Sequence, residues 1–299
     1  GLMLPWLVTT WQQLSALLSR DQLAHALLLT GPDGIGKSSL ANHLADAILC
    51  TASSRPCGQC KSCLLRRAGN HPDLLVLDST ASSIGVDAVR QLSHFLHGSA
   101  QQQSNKVVLL TQAEKLTESA ANALLKTLEE PPQHSFIVLT SAAAPMLPAT
   151  VLSRCQKWPL AAQFGDNTQQ WLAHQTNRSV PDFLLAYCAG APLKALQLIE
   201  SGAADTLQDG FNSLQQYLAG AVSLTSCVKQ LDSIAELTPL LGWFLRQQLL
   251  PGMLNKEPAK QLALQQLYNR WCRDEKQILG QNKQLALTAM LISLKRLSR

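Results

Sequence analysis

Between Gly31 and Ser38 the chain reads Gly-Pro-Asp-Gly-Ile-Gly-Lys-Ser, which meets the phosphate-loop pattern G-x-x-x-x-G-K-[ST] at every fixed position. Glycines at Gly31, Gly34 and Gly36 let backbone N–H groups close round phosphate oxygens. Lys37 would reach the β and γ oxygens of ATP or ADP, and Ser38, with Ser39 beside it, would face the accompanying Mg2+. The second constellation is Cys50, Cys57, Cys60 and Cys63, half of the eight cysteines in one short stretch. Four thiolates at this spacing suit tetrahedral Zn2+, each Cys-x-x-Cys step turning the chain round one metal. With no coordination position left open, the expected role is structural. A redox dithiol or an iron–sulfur centre are the alternatives. His71, directly ahead of Pro72, reads as a turn or strand entry rather than a further ligand.

Turnover of a bound nucleotide needs more than a cradle. An acidic residue at the end of a neighbouring strand must hold Mg2+, and an adjacent carboxylate must polarise the attacking water. The candidate strand Lys106–Leu110 runs into Thr111-Gln112-Ala113-Glu114. Neither of the first two is a carboxylate, and Glu114, two residues further on, reads as a solvated residue at a helix start. The phosphate cradle therefore lacks its catalytic carboxylates.

The elements that must position these groups alternate strand and helix, which predicts a mainly parallel α/β sheet with crossover helices. Strands are expected at 26–29, 73–77, 106–110 and 135–140, the third buried on both faces because its apolar run is unbroken. Helices are expected from about Lys37, over 86–96, and over 117–130. In the last of these Thr117 is the N-cap, Ala121, Leu124, Leu125 and Leu128 form the apolar stripe, and Pro131-Pro132 stops the helix. Beyond Leu160 the strand signal ends. Helices are expected over 163–174, over 181–189 and over 192–200, the last two opened by a proline. Gly202-Ala203 reads as a linker, and everything after Thr206 is helical and Gln-rich.

Composition bounds the rest. With 299 residues, 46% hydrophobic and 15% charged, the chain can build two or three cores and is no disordered polymer. No apolar run approaches the 18 or so residues of a membrane span. The best stretch, Leu240 to Leu250, is interrupted by Arg246. Residues 1–11 lack the basic start and cleavage site of an export signal, so an intracellular, cytoplasmic protein is expected. Of the net charge of +5, most lies after residue 203, where 11 Lys and Arg face seven Asp and Glu. A solvated helical face explains that balance as well as a DNA-binding stripe does.

Several further motifs follow the two constellations in a fixed order: His71-Pro72-Asp73, Ile84-Gly85-Val86-Asp87, the run Ala120 to Pro132 ending Leu-Glu-Glu-Pro-Pro, and Leu152-Ser153-Arg154-Cys155. This series, spanning about the first 160 residues, resembles the bacterial DNA polymerase III clamp-loader subunits of the AAA+ class, and most closely their delta-prime branch. The resemblance implies an AAA+ P-loop domain with the zinc insert over 1–158, a small helical lid over 159–203 and a helical oligomerisation collar over 204–299. It also implies gamma/tau and delta subunits as partners, and through them the sliding clamp and primer-template DNA. The ATPase relatives carry Asp-Glu where this chain has Thr111-Gln112, and a sensing arginine where Leu193 stands, with only Lys194 beside it. The resemblance therefore implies a stator that does not hydrolyse ATP by itself, although it belongs to a DNA polymerase holoenzyme. In that family the Ser-Arg-Cys arginine, Arg154, reaches the neighbour's ATP as an arginine finger, and Thr140 or Ser141 falls at the first sensor. An active gamma/tau-type ATPase using Glu114 or an unrecognised carboxylate, and a zinc-containing DNA-binding module with a vestigial phosphate loop, are the competing readings.

Overall fold

Five short segments assemble into one parallel sheet: Ala26–Thr30 (β1), Leu74–Leu77 (β2), Lys106–Leu110 (β3), Ser135–Ser141 (β4) and Gln156–Pro159 (β5), in the order β2-β3-β4-β1-β5. The computed structural model describes residues 3–78, 80–100, 105–249, 257–277 and 282–299, so Gly1, Leu2 and Leu250 of the stretches read above lie outside the described residues. β3 is buried at every position, as an interior strand flanked on both faces must be. β5 is the strand that the apolar pattern does not reveal. Its residues are Gln-Lys-Trp-Pro, and at the sheet edge it pairs with β1 alone, so it needs no apolar run.

Alternation along the strands divides the core into two layers. Leu28, Val108, Leu110, Ile137 and Leu139 face helices Val86–His97 (α4) and Glu118–Glu129 (α5). Leu27, Leu29, Val107, Leu109 and Val138 face Val8–Ser19 (α1) and Lys37–Leu49 (α2). α5 starts as expected, with the Thr117 side chain accepting from the Ala120 N–H. Its Ala121, Leu124 and Leu128 are buried.

The described residues gather into two compact units, residues 1–168 with 188–194, and residues 169–187 with 195–299. The second is all-helical. Its core joins Leu214, Leu231, Leu240, Phe244, Leu264 and Leu291, and partly buried Phe183 and Tyr187 pack against them. Among the described residues no helix is long and apolar enough to cross a membrane.

Three helix expectations change. The helix expected from Gln163 begins at Asp166, just after Gly165. The one expected over 181–189 shrinks to Leu184–Tyr187, because Ala189 and Gly190 adopt positive φ (54° and 75°) and end it early. At the expected linker Gly202-Ala203 the connection is a short turn, Ala203 already being helical. Gly202, in a left-handed conformation (φ 82°), caps the helix that starts at Ala203.

Candidate phosphate cleft and thiolate cluster

The loop after β1 is shaped by its glycines. Gly31, Gly34 and Gly36 all have positive φ (151°, 90° and 107°), and Gly36 is the N-cap of α2. That leaves the first N–H groups of α2 without helical partners, the arrangement that binds phosphate. Lys37 is buried. Its Nζ donates to the carbonyls of Gly31 (2.6 Å) and Pro32 (3.0 Å), with the exposed Asp33 carboxylate at 3.8 Å. An ammonium has three donors, so two anchor the side chain in its own loop and one remains for a phosphate oxygen. Burial lowers the Lys37 pKa, and the carboxylates of Asp33 and Glu114 act against that shift.

A cleft of about 300 Å3 opens over the loop. It is lined by Asp33, Gly34, Gly36, Lys37, Ser38 and Ser39 of the loop and helix start, and by Asp78, Thr111, Gln112, Thr140 and Leu193. Gly31 lies beneath, its carbonyl holding Lys37. At the tip of β3 the cleft thus presents Thr111 and Gln112, and the carboxylates on its lining are those of Asp33 and Asp78. Thr140, buried at the end of β4, accepts from the Gln112 N–H (3.2 Å), whereas Ser141 accepts from Ala143 in a turn outside the cleft (3.1 Å). Leu193 presents an apolar side chain to the cleft while its N–H donates to the Gly34 carbonyl (2.9 Å).

Glu114 is not the solvated residue expected. It lies in the short 3-10 turn Ala113–Lys115, entered through a left-handed Gln112 (φ 53°), and its Oε2 is shielded from water. It does not line the cleft; its charge acts on Lys37. Asp78, at the end of β2, is the site residue that sequence reading passes over. Only the β2–β3 register, which sets Leu77 opposite Leu110, brings it beside Thr111.

Gly34 cannot carry a side chain. A Cβ there would lie 2.6 Å from both the backbone nitrogen and the Cβ of Lys194, at a φ that L residues rarely adopt. Gly34→Ala is therefore expected to cost at least about 2 kcal/mol. Gly69→Ala, at similar φ (77°) with nothing within 4 Å, should cost about half of that. Thermal unfolding of the two variants checks the ranking.

The four cysteines converge at the end of α2. Cys50 caps that helix, Cys57 follows in the loop, Cys60 caps Lys61–Arg67 (α3), and Cys63 lies in its first turn. All four Sγ atoms lie within 4.8 Å of one another, with Cys57 to Cys63 and Cys50 to Cys60 each at 3.9 Å. A tetrahedral ion with metal–sulfur bonds of about 2.3 Å requires sulfur–sulfur edges of about 3.8 Å, so the cage fits zinc. Backbone N–H groups point at the sulfurs: Cys57 at Cys50 Sγ (3.4 Å), Gln59 and Cys60 at Cys57 Sγ (3.3 and 3.2 Å), and Cys63 at Cys60 Sγ (3.4 Å). These donors hold Cys57 below the usual thiol range. Burial alone would push Cys60 up, but hydrogen bonds from Thr51 and Cys63 outweigh it and bring Cys60 to about 6. Both thiols are thereby prepared to act as thiolates. His71 is no ligand. It is buried, with Nε2 3.1 Å from Ser62 Oγ and Nδ1 accepting from the Asp73 N–H, and so ties α3 to the entry of β2.

Arg154 lies apart from the cleft, after the short helix Ala149–Leu152 (α6), with 31% of its side chain exposed. Its Nε donates to Glu129 Oε1 (2.9 Å), a second guanidinium nitrogen bonds the same oxygen, and the third donates to the Thr150 carbonyl (2.8 Å). The arginine of Leu-Ser-Arg-Cys is thus paired with a glutamate of Leu-Glu-Glu-Pro-Pro.

A family model described as DNA polymerase III, delta subunit, matches residues 7–164. The chain is 40% identical over 222 residues to DNA polymerase III subunit delta' of Haemophilus influenzae, an alignment covering 71% of this chain and 65% of that protein. Against subunit delta' of Pseudomonas aeruginosa it is 37% identical over 251 residues, covering 80% of this chain and 74% of the relative. It is 33% identical over 204 residues to subunit tau of Escherichia coli, covering 68% of this chain and 30% of tau. The match thus takes in just under two thirds of the Haemophilus protein. A crystal structure of a DNA polymerase III gamma subunit-related protein from Thermotoga maritima aligns with a TM-score of 0.52 at 18% identity, over 97% of this chain and 99% of that one. At that identity the likeness concerns the fold alone, a parallel α/β sheet followed by helices as expected from the sequence.

Proposed function

The chain belongs to the DNA polymerase III delta-prime family, and on that premise we propose that it is the non-hydrolysing member of a clamp loader. It would stand beside gamma/tau ATPases and the delta subunit, in the bacterial cytoplasm, and help to open a sliding clamp and place it on primer-template DNA. The observation behind this reading is the cleft lining, an intact phosphate loop together with Thr111, Gln112 and Leu193; by the family resemblance these three would stand where the ATPase relatives carry the catalytic acids and the sensing arginine. Such a site would hold phosphates without the paired acids at the strand tip that activate water.

Within this reading the chain divides by role into an AAA+ domain over 1–158, a lid over 159–203 and a collar over 204–299. Collar assembly is supported by the helix Lys283–Leu297, which exposes Leu285 and Ile292 seven residues apart, hence on one face, with exposed Ala289 between them. Gly31, Gly34, Gly36, Lys37, Ser38 and Ser39 would hold ATP or ADP with Mg2+, weakly, since one lysine is the cleft's only cation among its lining residues. Cys50, Cys57, Cys60 and Cys63 would hold one structural Zn2+, whose charge stabilises the clustered thiolates and fixes the loop.

Arg154 would act in trans. Its pairing with Glu129 is a partly exposed ion pair, of the kind worth about 1 kcal/mol or less, so the guanidinium can exchange a carboxylate for a neighbour's phosphoryl group at small cost. Reconstitution tests the function. A loader assembled from gamma/tau and delta should load clamps poorly without this chain and recover when it is added. Equal loading with and without the chain would reject the reading.

A further inference from the structure

The carboxylate missing from the tip of β3 has a counterpart one strand away. Leu77 of β2 pairs with Leu110 of β3, so the next residues, Asp78 and Thr111, leave the sheet side by side. The Thr111 hydroxyl donates to Asp78 Oδ1 at 3.2 Å, and the Thr111 N–H donates to the Leu77 carbonyl at 3.2 Å. Asp78 lines the same cleft as Lys37, Ser38 and Ser39, whereas Glu114 does not line it. Resting on the reading of the cleft as a nucleotide site, we propose that Asp78 is the protein's carboxylate for the divalent cation of a bound nucleotide, and that nucleotide enters only as its metal complex.

The charge balance of the cleft supports both halves of this statement. Lys37 is the single cation on its lining; Asp33 and Asp78 are anions, and Leu193 adds no charge. Lys37 is already engaged by two carbonyls and faces Asp33. A metal-free di- or triphosphate would bring several negative charges to a site with no excess of positive charge, and the two would repel. A divalent cation reverses the balance. Hard cations take carboxylate and hydroxyl oxygens and keep part of their water. Asp78 and Ser38 offer those two oxygen types on the lining of one cleft. Thr111 fixes the Asp78 carboxylate through its hydroxyl, a positioning role that needs no charge at the tip of β3.

The test uses the full chain and a fluorescent ADP analogue, titrated in Mg2+ and in EDTA. For the unaltered protein, affinity in Mg2+ should exceed affinity in EDTA by about tenfold or more. Asp78→Asn should remove most of that gain while leaving the affinity in EDTA equal or slightly better, because a repelling charge is gone. In the Asp78→Asn background, Thr111→Asp should restore the dependence on Mg2+ by returning a carboxylate to the adjacent strand tip. An unchanged Mg2+ gain in Asp78→Asn would overturn the assignment. So would binding that is equally tight in EDTA, or the absence of binding at millimolar analogue. None of these would affect the stator reading, which requires only that this chain does not hydrolyse ATP.

Discussion

Arg154→Ala should leave the loader assembled and slow it. Where arginine fingers have been measured in other nucleotide hydrolases they contribute about 10³- to 10⁵-fold in rate, so hydrolysis at the one neighbouring site should all but stop and ATP-driven clamp loading should fall by about tenfold or more. Arg154→Lys should recover little, because an ammonium keeps the charge and loses the planar fork. The structure adds a second arm. Glu129 binds the same guanidinium, and if that pairing is only a resting place, Glu129→Gln should keep or raise the loading rate. If Arg154 served merely to fasten α6 to α5, the two substitutions should damage loading and stability alike. Rates measured at saturating subunit concentration, together with the melting temperature of each variant, separate the cases.

Removing zinc should have the largest effect on local structure. Structural zinc in small peptides contributes about 10–16 kcal/mol of apparent binding energy, and here the four thiols converge from across residues 50–63. About one Zn2+ per chain is expected, and Cys60→Ser should lose most of it. After chelation, proteolysis should begin within residues 51–62. The sheet should survive, because Leu40, Leu44 and Ile48 of α2 remain buried against it whatever happens beyond Cys50. Zinc below half an equivalent in carefully reduced protein would reject the assignment, and joint melting of knuckle and sheet would reject their independence.

What the sequence discloses in this protein is what local chemistry writes. The loop Gly31–Ser38 is legible because backbone conformation forces its glycines, and the cysteine cage because four ligands fall within one turn-rich stretch. β3 shows as an unbroken apolar run, and α5 carries its own cap and stop. Features that depend on distant neighbours stay hidden. β5 is polar because an edge strand needs only one partner. The Arg154–Glu129 pair joins residues 25 apart in the chain. Asp78 looks like any loop aspartate until the register sets it against Thr111. Glu114 reads as a surface residue because nothing local announces the left-handed Gln112 and the short 3-10 turn that shield its Oε2.

The stator reading requires that the phosphate loop turn over no ATP, and turnover measured on the purified chain alone tests this most directly. The expected result is no hydrolysis above the level of Lys37→Ala, in Mg2+ and at millimolar ATP, with or without clamp and primed DNA. A turnover near 1 s⁻¹, an ordinary rate for an enzyme of this kind, that vanishes in Lys37→Ala would contradict the account. The chain would then be an ATPase in its own right.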